Sequence, residues 1–219
     1  MAGLKFVGAL VAVVLAPLSG SASAQAPTPP LRPDQVAFHD LYKELVETNT
    51  SQSAGSCTLA AQRMGARLKA AGFADSDITY VTPPDHPKDG GVVAVLHGTD
   101  PKAKAILLLA HIDVVEANRA DWQRDPFTLV EENGYFYGRG SSDDKAMASV
   151  NIDTLIRFKR EGFHPRRDVK AALTCGEETE GAFNGAEDLV KHHRELIDAA
   201  FALNEGGGCL LYTSPSPRD

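Results

Sequence analysis

The run Ile106-Leu107-Leu108-Leu109 is apolar at every position and leads through Ala110 into His111 and Asp113. A strand with one wet face alternates apolar and polar residues, so an unbroken apolar run reads as a strand buried on both faces. Such a strand needs cover on each side, and the rest of the chain supplies it. Further β-rich runs at residues 78–81, 92–96, 169–174 and 199–203 are separated by helical patterns around residues 145–160 and 186–193. Two amphipathic stretches precede them. Asp34 is expected to cap a helix carrying Val36, Leu41, Leu45 and Val46 at near-helical spacing. A second helix is expected over residues 56–71, with Leu59, Met64 and Leu68 on one face and Gly72 as its stop. Asn133-Gly134, between residues 127–131 and 135–137, is a hairpin signal. The expected class is α/β, with helices on both sides of a sheet.

Composition narrows the function. A chain of 219 residues with 43% apolar and 23% charged content can build one sizeable core. Its net charge of -7, with no basic run longer than Arg166-Arg167, offers little to a polyphosphate backbone, so nucleic acid is excluded as an expected partner. Residues 1–24 read as an export signal: Lys5, an apolar segment over residues 6–18, then Ala22-Ser23-Ala24 before Gln25. A transmembrane anchor is the alternative, but the apolar segment is shorter than the roughly 20 residues that span a bilayer. The expected location is periplasmic or secreted, with no membrane association after cleavage. Residues 25–33, with Pro27, Pro29, Pro30 and Pro33, read as an exposed lead-in. Cys57, Cys175 and Cys209 are too few for a disulfide scaffold; Cys57 and Cys175 are read either as one bridge or as two buried thiols. Residues 209–219 continue none of these patterns and resemble translated sequencing-adapter read-through, a flexible tail being the alternative.

Ligands of open α/β sheets collect beyond the carboxyl ends of the strands. His111 and Asp113 follow the buried run, Glu177 and Glu178 follow residues 169–174, Glu205 follows residues 199–203, and Asp143 ends the loop Gly138-Arg139-Gly140-Ser141-Ser142 before a helix. Singly, each has an ordinary explanation: a satisfied polar histidine, a solvated acidic pair, a helix N-cap at Asp143, a loop acid at Glu205. Jointly, one imidazole and several carboxylates at one sheet edge would repel unless a cation neutralised them. Mixed histidine and carboxylate donors suit zinc or a similar transition ion, and a carboxylate can bridge two metals roughly 3.5–4 Å apart.

The motifs His111-Ile112-Asp113-Val114-Val115, Gly138-Arg139-Gly140-Ser141-Ser142-Asp143-Asp144-Lys145, Gly176-Glu177-Glu178-Thr179-Glu180-Gly181 and Asn204-Glu205-Gly206-Gly207 resemble, in order, those of the dinuclear-zinc exopeptidases. That family includes glutamate carboxypeptidases, aminoacylases, carboxypeptidase S, dipeptidases and succinyl-diaminopimelate desuccinylase. The resemblance covers residues 34–208 and implies a three-layer catalytic domain around a mixed, mostly parallel sheet. It implies two Zn2+ ions: His111 and Glu205 on one, Glu178 on the other, Asp143 bridging both and followed by a cis peptide bond. Glu177 is implied as the general base and Asp113 as the residue orienting His111. The substrate implied is a small peptide or N-acyl amino acid cleaved at an amide near a free carboxylate, with peptidase and deacylase activity as alternatives and a homodimer allowed in the full-length protein. The family's last histidine ligand has no counterpart here: His39, His86, His97, His164, His192 and His193 match none of its motifs. The chain is therefore expected to be the N-terminal part of a longer catalytic domain, with metal binding alone as the reading for a fragment. The segment Trp122-Gln123-Arg124-Asp125-Pro126-Phe127 is similar to one in the carboxypeptidase S and general peptidase branches and reads either as packing beside the mouth of the site or as a loop anchored by buried aromatics, with no substrate role assigned.

Overall fold

The computed structural model describes residues 30–179 and 183–205. The expected export signal, residues 25–29 of the lead-in, Glu180, Gly181, the glycines after Glu205 and the 209–219 tail lie outside the described residues. In chain order the elements are α1 (Pro33–Glu47), α2 (Cys57–Ala70), β1 (Ile78–Val81), β2 (Gly91–Leu96), β3 (Ile106–His111), β4 (Val130–Glu132), β5 (Tyr135–Tyr137), α3 (Lys145–Arg160), β6 (Val169–Thr174), α4 (Gly185–His192), α5 (Arg194–Ile197) and β7 (Phe201–Leu203). Among the described residues no helix is long and apolar enough to cross a membrane.

The principal sheet has the order β1-β2-β6-β3-β7. β1–β2 and β2–β6 pair antiparallel, whereas β6–β3 and β3–β7 pair parallel. The central strands are covered on both faces, and side chains alternate with the two-residue strand period. Ala94, Leu108, Ala171 and Leu173 enter a core completed by α2 and α3 through Met64, Leu68, Ile152 and Leu155. Val93, Leu107 and Ala172 point the other way, onto Leu189 of α4 and, beyond it, Leu196 and Ile197. This is the three-layer arrangement expected. β4 and β5 form a separate hairpin, with Asn133 at φ 54° and Gly134 at φ 79° in its turn, the left-handed pair such a turn requires.

Several local expectations are corrected. Asp34 does not cap α1: Arg32 is the N-cap, Pro33 takes the first helical position, and Asp34 instead pairs with the Arg32 guanidinium at 2.9 Å. Proline suits that position because its missing N–H has no partner there in any case. Val36 and Leu59 lie outside the buried stripes, with exposures of 45% and 43%. Leu59 stands two residues from buried Cys57, about 200° around the helix, and the stripe that packs is Cys57, Ala60, Ala61, Met64 and Leu68. The helix expected to end at His193 stops at His192 and is followed by the separate turn of α5. The strand expected from Ala199 begins at Phe201.

Candidate metal centre

The parallel half of the sheet positions the site. β3 and β6 run in register to their ends, His111 opposite Thr174, and the N–H of Ile112 extends the ladder to the Thr174 carbonyl at 2.8 Å. β7 joins the other side of β3 in the same direction, with Leu203 opposite Leu108. Three carboxyl ends therefore open on one edge, delivering His111, the Gly176-Glu177-Glu178 turn and Glu205 together.

His111 is the last residue of β3 and only 4% exposed. Its Nδ1 lies 3.1 Å from the main-chain carbonyl of Asp113 and 3.5 Å from the Asp113 carboxylate. A carbonyl oxygen can only accept, so Nδ1 carries the hydrogen and Nε2 faces outward. Around Nε2 stand Asp143 Oδ1 at 3.0 Å, Glu205 Oε2 at 3.6 Å and Glu177 Oε2 at 3.9 Å. Within 4.8 Å of one another lie donor atoms of His111, Asp144 and Glu205, and likewise donor atoms of His111, Glu177 and Glu178. All six residues expected from the sequence are thus gathered at one place. The cis peptide bond expected after Asp143 is present.

Two features went unforeseen. Asp144 is buried, groups with His111 and Glu205, and has an Oδ2 atom with no partner. Its signal in the sequence was the doubled aspartate ahead of Lys145, a pattern that does not by itself say which carboxylate turns inward. Asp143 and Asp144 also divide the capping question: the N-cap of α3 is Asp144, and its side chain makes no capping hydrogen bond. The second feature is the reach of Asp113. Its Oδ2 accepts the N–H of Glu178 at 2.9 Å, tying the turn after β6 to the end of β3.

Burial and mutual charge shift the ionisable groups in the directions such crowding requires. Burial alone would lower the His111 pKa, but the hydrogen bond and charge of Asp113, then Asp143 and Glu205, push it up to about 10. Burial raises Asp144 to about 6, with Glu205 and Asp143 adding to the rise. Burial, then the Asp143 charge, also pushes the Glu178 carboxyl up. Asp113 moves the other way: burial would raise it, but hydrogen bonds from His111 and the Glu178 N–H hold it below the usual carboxylate range. The raised His111 pKa shows that the carboxylates around Nε2 favour a positive charge there: without metal the ring supplies it as a proton, and a divalent ion at that spot would take the proton's place on Nε2. The donor set, one imidazole and hard carboxylates without thiolate, fits a divalent ion such as zinc.

The remaining histidines lie elsewhere: His192 pairs with Asp188, and His97 sits between Asp77 and Asp168. Trp122 packs under the Arg139 guanidinium at 5.2 Å, and the Arg139 N–H donates to the Pro126 carbonyl at 2.7 Å. The aromatic segment therefore braces the turn that carries Asp143. Cys57 and Cys175 form a disulfide with their Cα atoms 6.0 Å apart. That resolves the open alternative in favour of a bridge and fastens the Glu177–Glu178 turn to the first residue of α2.

An α/β scaffold with an imidazole and a ring of acids at its parallel strand ends defines a metal-ligand type of centre, and sequence similarity narrows it further. Residues 107–215 match Peptidase family M20/M25/M40. Aminoacylase-1 of Sus scrofa is 38% identical over 121 residues, 53% of this chain and 30% of that protein. The N-fatty-acyl-amino acid synthase/hydrolase PM20D1 of Xenopus tropicalis is 38% identical over 112 residues, 51% of this chain and 22% of that protein. The chain thus spans about a third or less of these curated relatives. In fold it is similar to the M20 family metallo-carboxypeptidase Sso-CP2 of Sulfolobus solfataricus, with a TM-score of 0.63 and 20% identity over 81% of this chain and 38% of that one.

Proposed function

We propose that this chain carries the active centre of a metal-dependent amide hydrolase acting on a small peptide or an N-acyl amino acid. The observation that carries the reading is the outward Nε2 of buried His111, which faces carboxylate oxygens of Asp143, Glu205 and Glu177. The match to a peptidase family and similarity to an aminoacylase support both substrate classes. We assign His111 and Glu205 to one Zn2+, Glu178 to a second, and Asp143 to both; Asp144, buried beside them, is a further candidate donor. Such ions supply Lewis-acid activation of a carbonyl and of water.

The chain's own residues divide the remaining work. Asp113 fixes the tautomer and orientation of His111 and makes it more basic. Glu177 has a half-exposed carboxylate 3.9 Å from His111 Nε2, which suits it to take a proton from the attacking water. It then returns that proton to the leaving nitrogen, so that amide and water become carboxylate and amine. The disulfide supports the export expected from the N-terminal sequence, since such bonds persist in oxidising compartments.

The reading is tested by measuring zinc per chain and the release of free amino acid from a set of N-acyl amino acids and dipeptides, using the full-length protein. Zinc uptake with hydrolysis of either class supports the assignment, and the preferred class decides between deacylase and peptidase. A protein that takes up no zinc with His111 intact sinks it.

A further inference from the structure

Two long-range hydrogen bonds close a clasp between α1 and the turn bearing the paired aspartates. Tyr42 on α1 is buried, and its hydroxyl donates to the Ser141 carbonyl at 2.5 Å, across a sequence separation of 99 residues. In the opposite sense, Lys145 on α3 is fully buried, and its Nζ donates to the Thr48 carbonyl at 2.7 Å, across 97 residues. Thr48 is the C-cap of α1. Its carbonyl belongs to the group a helix end leaves unsatisfied, and an ammonium there also meets the negative end of the helix dipole.

The turn between these anchors has little freedom to relax. Gly140 holds φ +77°, and a Cβ added there would meet Val114 Cγ1 at 2.6 Å and Lys145 Cδ at 3.1 Å. A Cβ at Gly138 would meet Val46 Cγ1 at 3.0 Å. Ala146 packs on the small cluster of Tyr42, Val46 and Leu129. Asp143 and Asp144 sit between one clamped point, Ser141, and the other, Lys145. Asp143 itself is 65% exposed in its side chain, so its own packing does not hold it; the clasp holds the backbone from which it projects. Burying an ammonium is costly unless the geometry repays it, and an apolar side chain could fill the same volume.

We propose that Tyr42 and Lys145 are positioning residues that set the Asp143–Asp144 backbone for metal binding. The inference rests on the metal-centre assignment made above. Its test is titration of Co2+ into the full chain, following the visible absorption of the bound ion and the melting temperature of the metal-free protein. The proteins compared are wild type, Tyr42→Phe, Lys145→Met and, as a destabilising control remote from the clasp, Leu68→Ala. Tyr42→Phe removes one hydroxyl and keeps the packing, so it remains informative should Lys145→Met not fold. Expected are a rise of about 10- to 100-fold in the Co2+ dissociation constant for the clasp variants, with an altered Co2+ spectrum, and an unchanged constant for Leu68→Ala at a comparable loss of melting temperature. Clasp variants that melt earlier yet bind Co2+ with wild-type affinity and spectrum overturn the proposal. Failure of the wild-type chain to take up Co2+ removes the metal-centre reading and this inference with it.

Discussion

The site has two walls built on different principles. On one side, His111 and Asp113 are buried at the end of a central strand, their orientation fixed by the ladder to β6 and by the bond from Nδ1 to a main-chain carbonyl. On the other, Asp143 and Glu177 stand on turns with side chains 65% and 52% exposed. The first wall is held by backbone pairing and burial. The second consists of like charges held near one another by backbone constraints, and its side chains can adjust. The contrast teaches where each kind of residue is affordable: orientation comes from the sheet, and proton traffic from groups that water can reach.

The largest effect expected is on the exposed wall. In the full-length protein, Glu177→Gln should retain bound zinc and lose at least about a hundredfold in hydrolysis, because it removes the proton carrier without removing a ligand. Zinc analysis alongside initial rates checks this; loss of zinc instead would mean that Glu177 and Glu178 have been assigned the wrong way round. Next comes the disulfide, which anchors the turn after β6 across 118 residues of chain. Replacing Cys57 and Cys175 by serine should cost about 2–4 kcal/mol in denaturant unfolding. In hydrogen exchange, amides of residues 176–179 should gain more than those of 106–111. Equal gains on both sides would abolish the distinction between the walls.

Asp113 is the residue that joins them, through His111 on one side and the Glu178 N–H on the other. Asp113→Asn should weaken zinc by about 10- to 100-fold, the range for partners that orient a metal-binding histidine, as measured by chelator competition. Wild-type affinity would leave the main-chain carbonyl of Asp113 as the sole support of the imidazole.

How much of this could be read from the residues follows the same division. The buried strand, its companions and the helices had periodic signals, and β1, β6 and α3 span the residues expected of them. The donors at strand ends were legible because topology alone brings them to one edge. Less visible was whatever depends on which way a short side chain turns. Asp143 and Asp144 are adjacent and chemically identical, and only the backbone of their turn leaves one exposed and one buried. Lys145 carries the residue type least expected in a core, yet it is fully buried because the orphan carbonyl of Thr48, distant in sequence, lies within its reach. Val36 and Leu59 failed for the opposite reason: apolar residues in first helical turns satisfy a spacing rule without having a surface to pack against.

The smallest expected effect asks how far the exposed wall depends on scaffold. Ser56 caps α2, its hydroxyl accepting the N–H of Leu59 at 3.2 Å, one residue before the disulfide that reaches the Glu177–Glu178 turn. Ser56→Ala should lower stability by about 1 kcal/mol, the usual cost of losing such a cap. If the bridge and the body of α2 suffice to hold that turn, zinc affinity in the same variant should match wild type, because the first turn loses only the cap on the Leu59 N–H while the disulfide still pins Cys57 and the buried stripe from Ala60 to Leu68 keeps the helix seated. A cap loss that weakened zinc as much as Asp113→Asn does would place the rigidity of the exposed wall in the end of α2, and the division between a wall built by the sheet and a wall built by turns would have to be redrawn to include that helix.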